Sequence, residues 1–354
     1  MELDRNKQSL LLDGKRYSKE EILTAQPDSP FLRDLFLFLA DWFDESPTLE
    51  VQTSGSTGVP KRLTVRKDQM MQSARLTCEF LHLKPGDKAL LCMPLQYIAG
   101  KMVVVRALVT GLNLIVRMPS GHPLADVETP LRFAAMVPLQ VYNTLQIPQE
   151  RERLCRTEIL IIGGGAIDAA LEREIRGLPG EVYSTYGMTE TLSHIALRRL
   201  NGRGASSHYR PFSSVRLSLS AEDTLVIDAP LVCDERLVTN DVAKIYPDGT
   251  FTILGRKDNI INTGGIKVQA EVVETALRPV IPVPFAITSR PDARLGEAIV
   301  LLVERTGELE EIRRQIPLLL TKYQQPKYIY TVESIPLTGT GKIDRAACRH
   351  LSLW

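Results

Sequence analysis

No sign of charge dominates this chain. Across 354 residues, Lys plus Arg number 43 and Asp plus Glu 42, for a formal net charge of +1. That balance excludes a general attraction for nucleic acid or for an anionic membrane, so any anion site has to be local. Metal-ligand spacing is missing too. The five cysteines (Cys78, Cys92, Cys155, Cys233 and Cys348) are scattered and odd in number. Reduced, buried thiols in a cytoplasmic protein fit them better than a disulfide framework or a zinc site. No apolar run reaches the length of a membrane span, and the opening MELDRNKQSLLLDG carries early acids where a signal peptide would be apolar. Internal repeats and low-complexity tracts are absent. These absences predict a cytoplasmic protein with no nucleic-acid partner and no membrane insertion.

What stands out instead is TSGSTGVPKR at residues 53–62, where hydroxyls and glycines crowd ahead of a proline and a lysine. Exposed backbone N–H groups, hydroxyl donors and one fixed cation are the parts that hold a polyphosphate. It is not the Walker pattern, because Pro60 and Arg62 occupy the places of that motif's second glycine and hydroxyl. A Ser/Gly linker has a similar composition, so the neighbours must decide.

The length suggests two domains. Phe31, Leu32, Leu35, Phe36, Phe38 and Leu39 before Trp42 and Phe43 predict an amphipathic helix, and Met71, Ala74, Cys78 and Leu81 predict another after the loop. The runs ALLCM, LNLIV, FAAMV, EILII and EVYST, mostly separated by helical stretches, have the rhythm of α/β units around a largely parallel sheet. From about Val215 the rhythm changes to short strands with turns such as Asp248-Gly249, an antiparallel or barrel-like subdomain. The predicted fold class is α/β: a large domain over 1–257 with mainly parallel sheets plus the small β subdomain, then a mobile α+β domain over 258–354.

Further polar segments follow strands. Glycines in GGGAI (Gly163, Gly164 and Gly165) let a flat ligand lie against the backbone, although a tight strand-to-helix turn looks the same. YGMTET offers an aromatic face at Tyr186, hydroxyls, and in Glu190 a carboxylate able to hold Mg²⁺ beside phosphates. A loop acid in solvent is the plainer reading of Glu190. Asp241, Arg256 and Lys342 complete the set.

In order, TSGSTGVPK, GGGA, YGMTE, TND, GRKDN–INTGG and PLTGTGKIDR resemble the signature set of the adenylate-forming superfamily. That superfamily includes acyl-CoA synthetases, peptide-synthetase adenylation domains and luciferases. The resemblance implies an acid–thiol ligase: a carboxylate attacks the α-phosphate of ATP, pyrophosphate leaves, and a thiol, most often that of CoA, displaces AMP from the acyl-adenylate. It implies that Thr53, Ser54, Gly55, Ser56, Thr57, Gly58 and Lys61 hold the β- and γ-phosphates. Gly163, Gly164, Gly165, Tyr186 and Gly187 would form the adenine site, Thr189 would meet the α-phosphate, and Glu190 would bind Mg²⁺. Asp241 and Arg256 would sit at the ribose, and Lys342 would bridge carboxylate and ATP oxygens. Asp258 would be the hinge of a C-terminal domain that rotates between half-reactions. Gly264 and Gly265 would line the pantetheine channel, with Lys267 near the CoA phosphates or simply solvated.

Two departures narrow the substrate. The phosphate loop begins at residue 53, far earlier than in full-length relatives, and PLQYIAGKM carries Tyr97 where many have histidine. With Lys101 and Arg106 on the next helix and Ser193 and His194 after YGMTE, the pocket suits an aromatic acid with a second carboxylate. In format and motifs the chain resembles the compact o-succinylbenzoate–CoA ligases of menaquinone biosynthesis. A ligase for another aryl or short-chain acid, and an inactive nucleotide-binding relative, are the alternatives. The expected partners are the acid, ATP and CoA, and both monomer and homodimer stay open.

Overall fold

The computed structural model describes all residues except 2, 53–61, 166, 338–342 and 354. Its first unit comprises residues 1–216 and 228–236. There the apolar runs become β5 (Lys88–Leu91), β6 (Asn113–Val116), β7 (Leu131–Met136), β8 (Thr157–Ile162) and β9 (Glu181–Gly187). They are parallel, as continuous apolar strands covered by helices should be. Antiparallel β10 (His194–Arg199) and β11 (Arg210–Pro211) extend one side. On the other side, β1 (Leu10–Leu12) pairs parallel with β6, and β2 (Lys15–Tyr17) turns back on it. The order of the nine-stranded sheet is β11-β10-β9-β8-β7-β5-β6-β1-β2. From β5 the chain first builds toward β6, then returns to build β7, β8 and β9 on the opposite side. The C-terminal ends of β5 and β7 therefore flank a topological switch point, where open α/β sheets bind ligands.

The N-terminal segment contributes α1 (Lys19–Thr24) and the predicted amphipathic helix, α2 (Pro30–Phe43). Ser29 caps the backbone N–H of Leu32 and Pro30 opens the first turn. Two short strands that composition did not suggest, β3 (Thr48–Gln52) and β4 (Arg62–Arg66), form an antiparallel pair ending at Gln52 and Arg62. The glycine-rich segment thus connects two paired strands. Helix α3 (Lys67–Phe80) follows directly and packs on α4 (Ile98–Thr110). Helices α5 (Pro138–Gln146), α6 (Pro148–Cys155) and α7 (Ala169–Ile175) complete the crossovers.

The second unit comprises residues 217–227 and 237–354. The strand-rich stretch forms a four-stranded antiparallel sheet in sequence order: β12 (Arg216–Leu219), β13 (Thr224–Asp228), β14 (Leu237–Ile245) and β15 (Phe251–Arg256). Of the two expected forms, the open antiparallel one is found. The runs RLVTN and VAKIY are one strand, β14, which carries a register shift between Val242 and Ala243. Next come β16 (Ile260–Thr263), β17 (Ile266–Gln269), α8 (Ala270–Leu277), β18 (Phe285–Asp292), β19 (Gly296–Glu304), α9 (Leu309–Leu319), β20 (Tyr328–Val332) and α10 (Arg345–Leu351). Alternation along β18 and β19 sorts the core. Ile287, Ile299, Leu301 and Val303 face α8 and α9, while Ala286, Val300 and Leu302 pack with Cys348 of α10. The 257/258 boundary read from the sequence falls inside this unit. Across it, Gln269 Nε2 donates to the Arg256 carbonyl at 2.8 Å.

Candidate active site

Strand ends of the first unit carry the glycine turn at 163–165, Tyr186, Gly187, Thr189, Glu190, Ser193 and His194. At the end of β8, Gly164 has φ +79°, a left-handed turn that favours glycine, and a Cβ on Gly163 would lie 2.5 Å from Thr185 Oγ1. At the end of β9, a Cβ on Gly187 would lie 2.3 Å from the Ser193 carbonyl oxygen, so β9 and β10 approach here as only glycine allows. Tyr186 packs against Tyr209, ring centroids 5.9 Å apart, and Tyr209 shares a hydrogen bond with Ser184.

Thr189, Glu190 and Thr191 form one turn of 3-10 helix. The fully buried Thr191 accepts from the Met188 N–H (3.0 Å), and its hydroxyl points at the Ser193 carbonyl (2.8 Å). These bonds hold Leu192 at φ +65°, unusual for a residue with a branched side chain. Glu190 is exposed and Thr189 half-buried, both at the mouth of the sheet. Among the described residues no three His, Cys, Asp or Glu side chains cluster as a metal site. A Mg²⁺ ion held by one carboxylate and by phosphate oxygens needs no such cluster, so Glu190 fits that role. The glycine turn and the Tyr186 face likewise fit a nucleotide base.

Tyr97 opens α4 and bridges to Gln52, so the segment holding the glycine-rich loop starts beside it. Lys101 turns the other way. Its ammonium lies 4.8 Å from the Phe38 ring, and burial pulls its pKa down. It therefore does not join Ser193 and His194. The cation that does is Arg106, five positions along α4 and only 2% exposed. Its Nη2 donates to Ser193 Oγ at 2.6 Å and to Thr77 Oγ1 at 3.4 Å, while its Nε has no partner among the described residues. No carboxylate pairs with it among them, and burial pulls its pKa down to about 10. His194 contacts both hydroxyls, at 3.1 Å from Thr77 and 3.3 Å from Ser193. Burial, reinforced by the charge of Arg106, holds its imidazole well below the usual 6.5. A register shift between His194 and Ala196 accompanies this placement. The sequence points to Arg106 alongside Lys101 as a polar group of the acyl pocket, and to Thr77 not at all; Thr77 lies 117 residues from His194 along the chain.

In the second unit Asp241 and Arg256 are cross-strand partners, Nη1 to Oδ1 3.3 Å, and Arg256 Nη2 also donates to Asp258 at 2.8 Å. Burial opposes the Arg256 charge, but the Asp258 and Asp241 carboxylates outweigh it and raise the pKa. Gly264 and Gly265, at φ +58° and +83°, form the two-residue turn between β16 and β17, and Lys267 is exposed on β17. Lys342 lies outside the described residues, as do Thr53, Ser54, Gly55, Ser56, Thr57, Gly58 and Lys61. The flanks of Lys342 are firmly set. Leu337 bridges to Ile343, Asp344 caps α10, and Arg345 makes a two-pronged ion pair with Glu274 at 2.6 and 2.8 Å.

The family model described as "AMP-binding enzyme" matches residues 4–230. The chain belongs to the AMP-binding enzyme family. Its kind of chemistry is that of an adenylate-forming acid–CoA ligase. This AMP-binding enzyme is similar to the 2-succinylbenzoate–CoA ligase of Enterococcus faecalis (27% identity over 335 residues, 84% of this chain and 68% of the relative). Among solved structures it resembles an acyl-CoA synthetase (AMP-forming)/AMP-acid ligase II-like protein from Dyadobacter fermentans. The TM-score is 0.65 at 33% identity, over 95% of this chain and 98% of that one. The fold is also shared with the Bacillus subtilis o-succinylbenzoate CoA synthetase in complex with the acyl-adenylate OSB-AMP. There the TM-score is 0.71 at 20% identity, over 84% of this chain and 68% of that one. The same Bacillus enzyme in complex with ATP and magnesium gives a TM-score of 0.68 at 20% identity over the same shares. Among the described residues no helix is long and apolar enough to cross a membrane.

Proposed function

We propose that this AMP-binding enzyme activates o-succinylbenzoate, an aromatic dicarboxylic acid, and transfers it to CoA. One carboxylate attacks the α-phosphate of ATP with loss of pyrophosphate; the CoA thiol then attacks the acyl carbon and releases AMP. The observation that carries the substrate is Arg106. A guanidinium removed from water costs several kcal/mol unless a counter-charge meets it, and none does so among the described residues. An acid with a second carboxylate supplies that charge; benzoate or a fatty acid does not. Similarity to the 2-succinylbenzoate–CoA ligase of Enterococcus faecalis supports the same acid.

In this reading Gly163, Gly164, Gly165, Gly187 and Tyr186 receive the base. Thr189 meets the α-phosphate, and Glu190 holds Mg²⁺, which offsets phosphate charge when it arrives with ATP. The loop with Thr53, Ser54, Gly55, Ser56, Thr57, Gly58 and Lys61 receives the leaving pyrophosphate. Asp241 and Arg256 bind ribose, and Lys342 neutralises charge at the attacking carboxylate. Gly264, Gly265 and Lys267 serve the CoA arm. Tyr97 and Ser193 border the acyl group.

Pyrophosphate release with a panel of acids, with and without CoA, tests this. The expected outcome is strong activity with o-succinylbenzoate, weak activity with benzoate and with fatty acids, and AMP formation completed by free CoA. Robust turnover of benzoate with none of o-succinylbenzoate would sink the reading.

A further inference from the structure

Arg106, Ser193, His194 and Thr77 close a hydrogen-bonded ring drawn from α4, β10, α3 and the turn before β10. Its protons can be assigned one by one. A hydroxyl has a single proton to give, and Thr77 gives its own to the Ser73 carbonyl one helical turn back, at 3.1 Å. Within the ring Thr77 can only accept, so His194 Nε2 must carry the hydrogen that joins them. Nδ1 is then a lone pair. Ser193, whose oxygen already accepts from Arg106, donates to it. The neutral Nε2–H imidazole satisfies all four contacts. A protonated one would aim a second donor at Ser193 beside a buried cation. The Phe212 ring, 5.6 Å away, packs on the imidazole. The charged and titratable groups facing this cluster are Arg106 from α4 and, toward Arg106, Cys78 from α3.

We propose that His194 is a positioning residue for acid recognition. As the neutral Nε2–H tautomer it orients the Thr77 and Ser193 hydroxyls, and these fix the Arg106 guanidinium with its unpaired Nε edge kept for the second carboxylate of the substrate. The inference rests on the dicarboxylate reading above. It assigns His194 no contact with the reacting atoms and no proton transfer. Ser193, its proton committed to His194, is an orienting acceptor and not a donor to the acid.

Nitrogen-15 NMR of the selectively histidine-labelled full chain tests the tautomer without substrate. The expected signal is a neutral Nε2–H ring that does not titrate on passing below pH 6.5. A cationic ring or an Nδ1–H ring overturns the proposal, even if no variant folds. In kinetics, His194→Phe should raise the KM for o-succinylbenzoate about tenfold, the scale of a lost hydrogen-bond contact, with kcat and the KM for ATP nearly unchanged. His194→Gln, whose amide can reach Thr77, should recover part of the loss. Equal rises in KM for o-succinylbenzoate, benzoate and ATP would reduce His194 to a packing residue. If Arg106→Met weakens mono- and dicarboxylic acids alike, the substrate reading falls, and the tautomer result reports separately on the ring.

Discussion

A buried guanidinium without a counter-ion is unstable by itself. In the dicarboxylate reading proposed above, the charge of Arg106 that burdens the empty protein is the one the substrate neutralises. Function and stability therefore pull in opposite directions at this residue. Arg106→Met keeps the shape, removes the desolvation cost, and should leave the thermal unfolding midpoint unchanged or raise it, as such replacements do elsewhere. Its KM for o-succinylbenzoate should rise about a hundredfold, in line with the ~2–5 kcal/mol at stake in a desolvated charge pair. Calorimetry together with steady-state kinetics checks both halves. His194 adds a pH signature. Its folded pKa lies below the unfolded value of 6.5, so below that pH the unfolded chain binds more protons than the folded one. Stability is then full above about pH 6.5 and falls as the pH drops toward the folded pKa, by up to about 1.4 kcal/mol per unit. Urea unfolding across that range should show this slope, and His194→Phe should flatten it.

Among elements, the β9–β10 crossing organises the site. Its two strands come so close at Gly187 that a single methyl group would meet the Ser193 backbone, and Thr191 ties the turn between them. Gly187→Ala must push β10 away and carry Ser193 and His194 with it. Adenylation, read by ATP–pyrophosphate exchange, should fall at least tenfold, with a loss of about 1–3 kcal/mol in stability from the forced shift. Much of this level was legible in the sequence. Apolar runs such as EILII and EVYST have one stable use, as strands covered on both faces, and glycines at their ends mark where a ligand can lie. What escaped was pairing over distance. The β3–β4 pair is two five-residue strands split by the glycine-rich loop, too short to show a period. The α4 surface put Lys101 and Arg106 equally in view, and only packing shows that Lys101 turns to Phe38 while Arg106 turns to Ser193. Nothing local to residues 73–81 announces that Thr77 meets His194.

At the scale of the whole molecule, the proposed reading gives residues of both units a part in the reaction, and the described residues on either side of 338–342 are anchored. Arg345 and Glu274, bridged at both prongs, hold one end of the segment that carries Lys342. If the half-reactions use different parts of the chain, Lys342→Ala should abolish acyl-adenylate formation yet leave thioester formation from supplied acyl-adenylate within a few-fold. Equal loss in both, measured by AMP release in single-turnover experiments, would refute that division.

The first unit also carries a safeguard remote from any reacting atom. Strand β6, with the sequence NLIV, would otherwise border the large sheet with apolar, unpaired backbone. The hairpin of β1 and β2, turning at Asp13 and Gly14 in left-handed conformations, pairs with it instead. It presents Lys15 and Arg16 as the outermost strand. Charged side chains on a short terminal strand discourage a neighbouring molecule from adding its own. Eight residues, Leu10–Tyr17, thus turn one border of the large sheet from an apolar edge into a short, charged one.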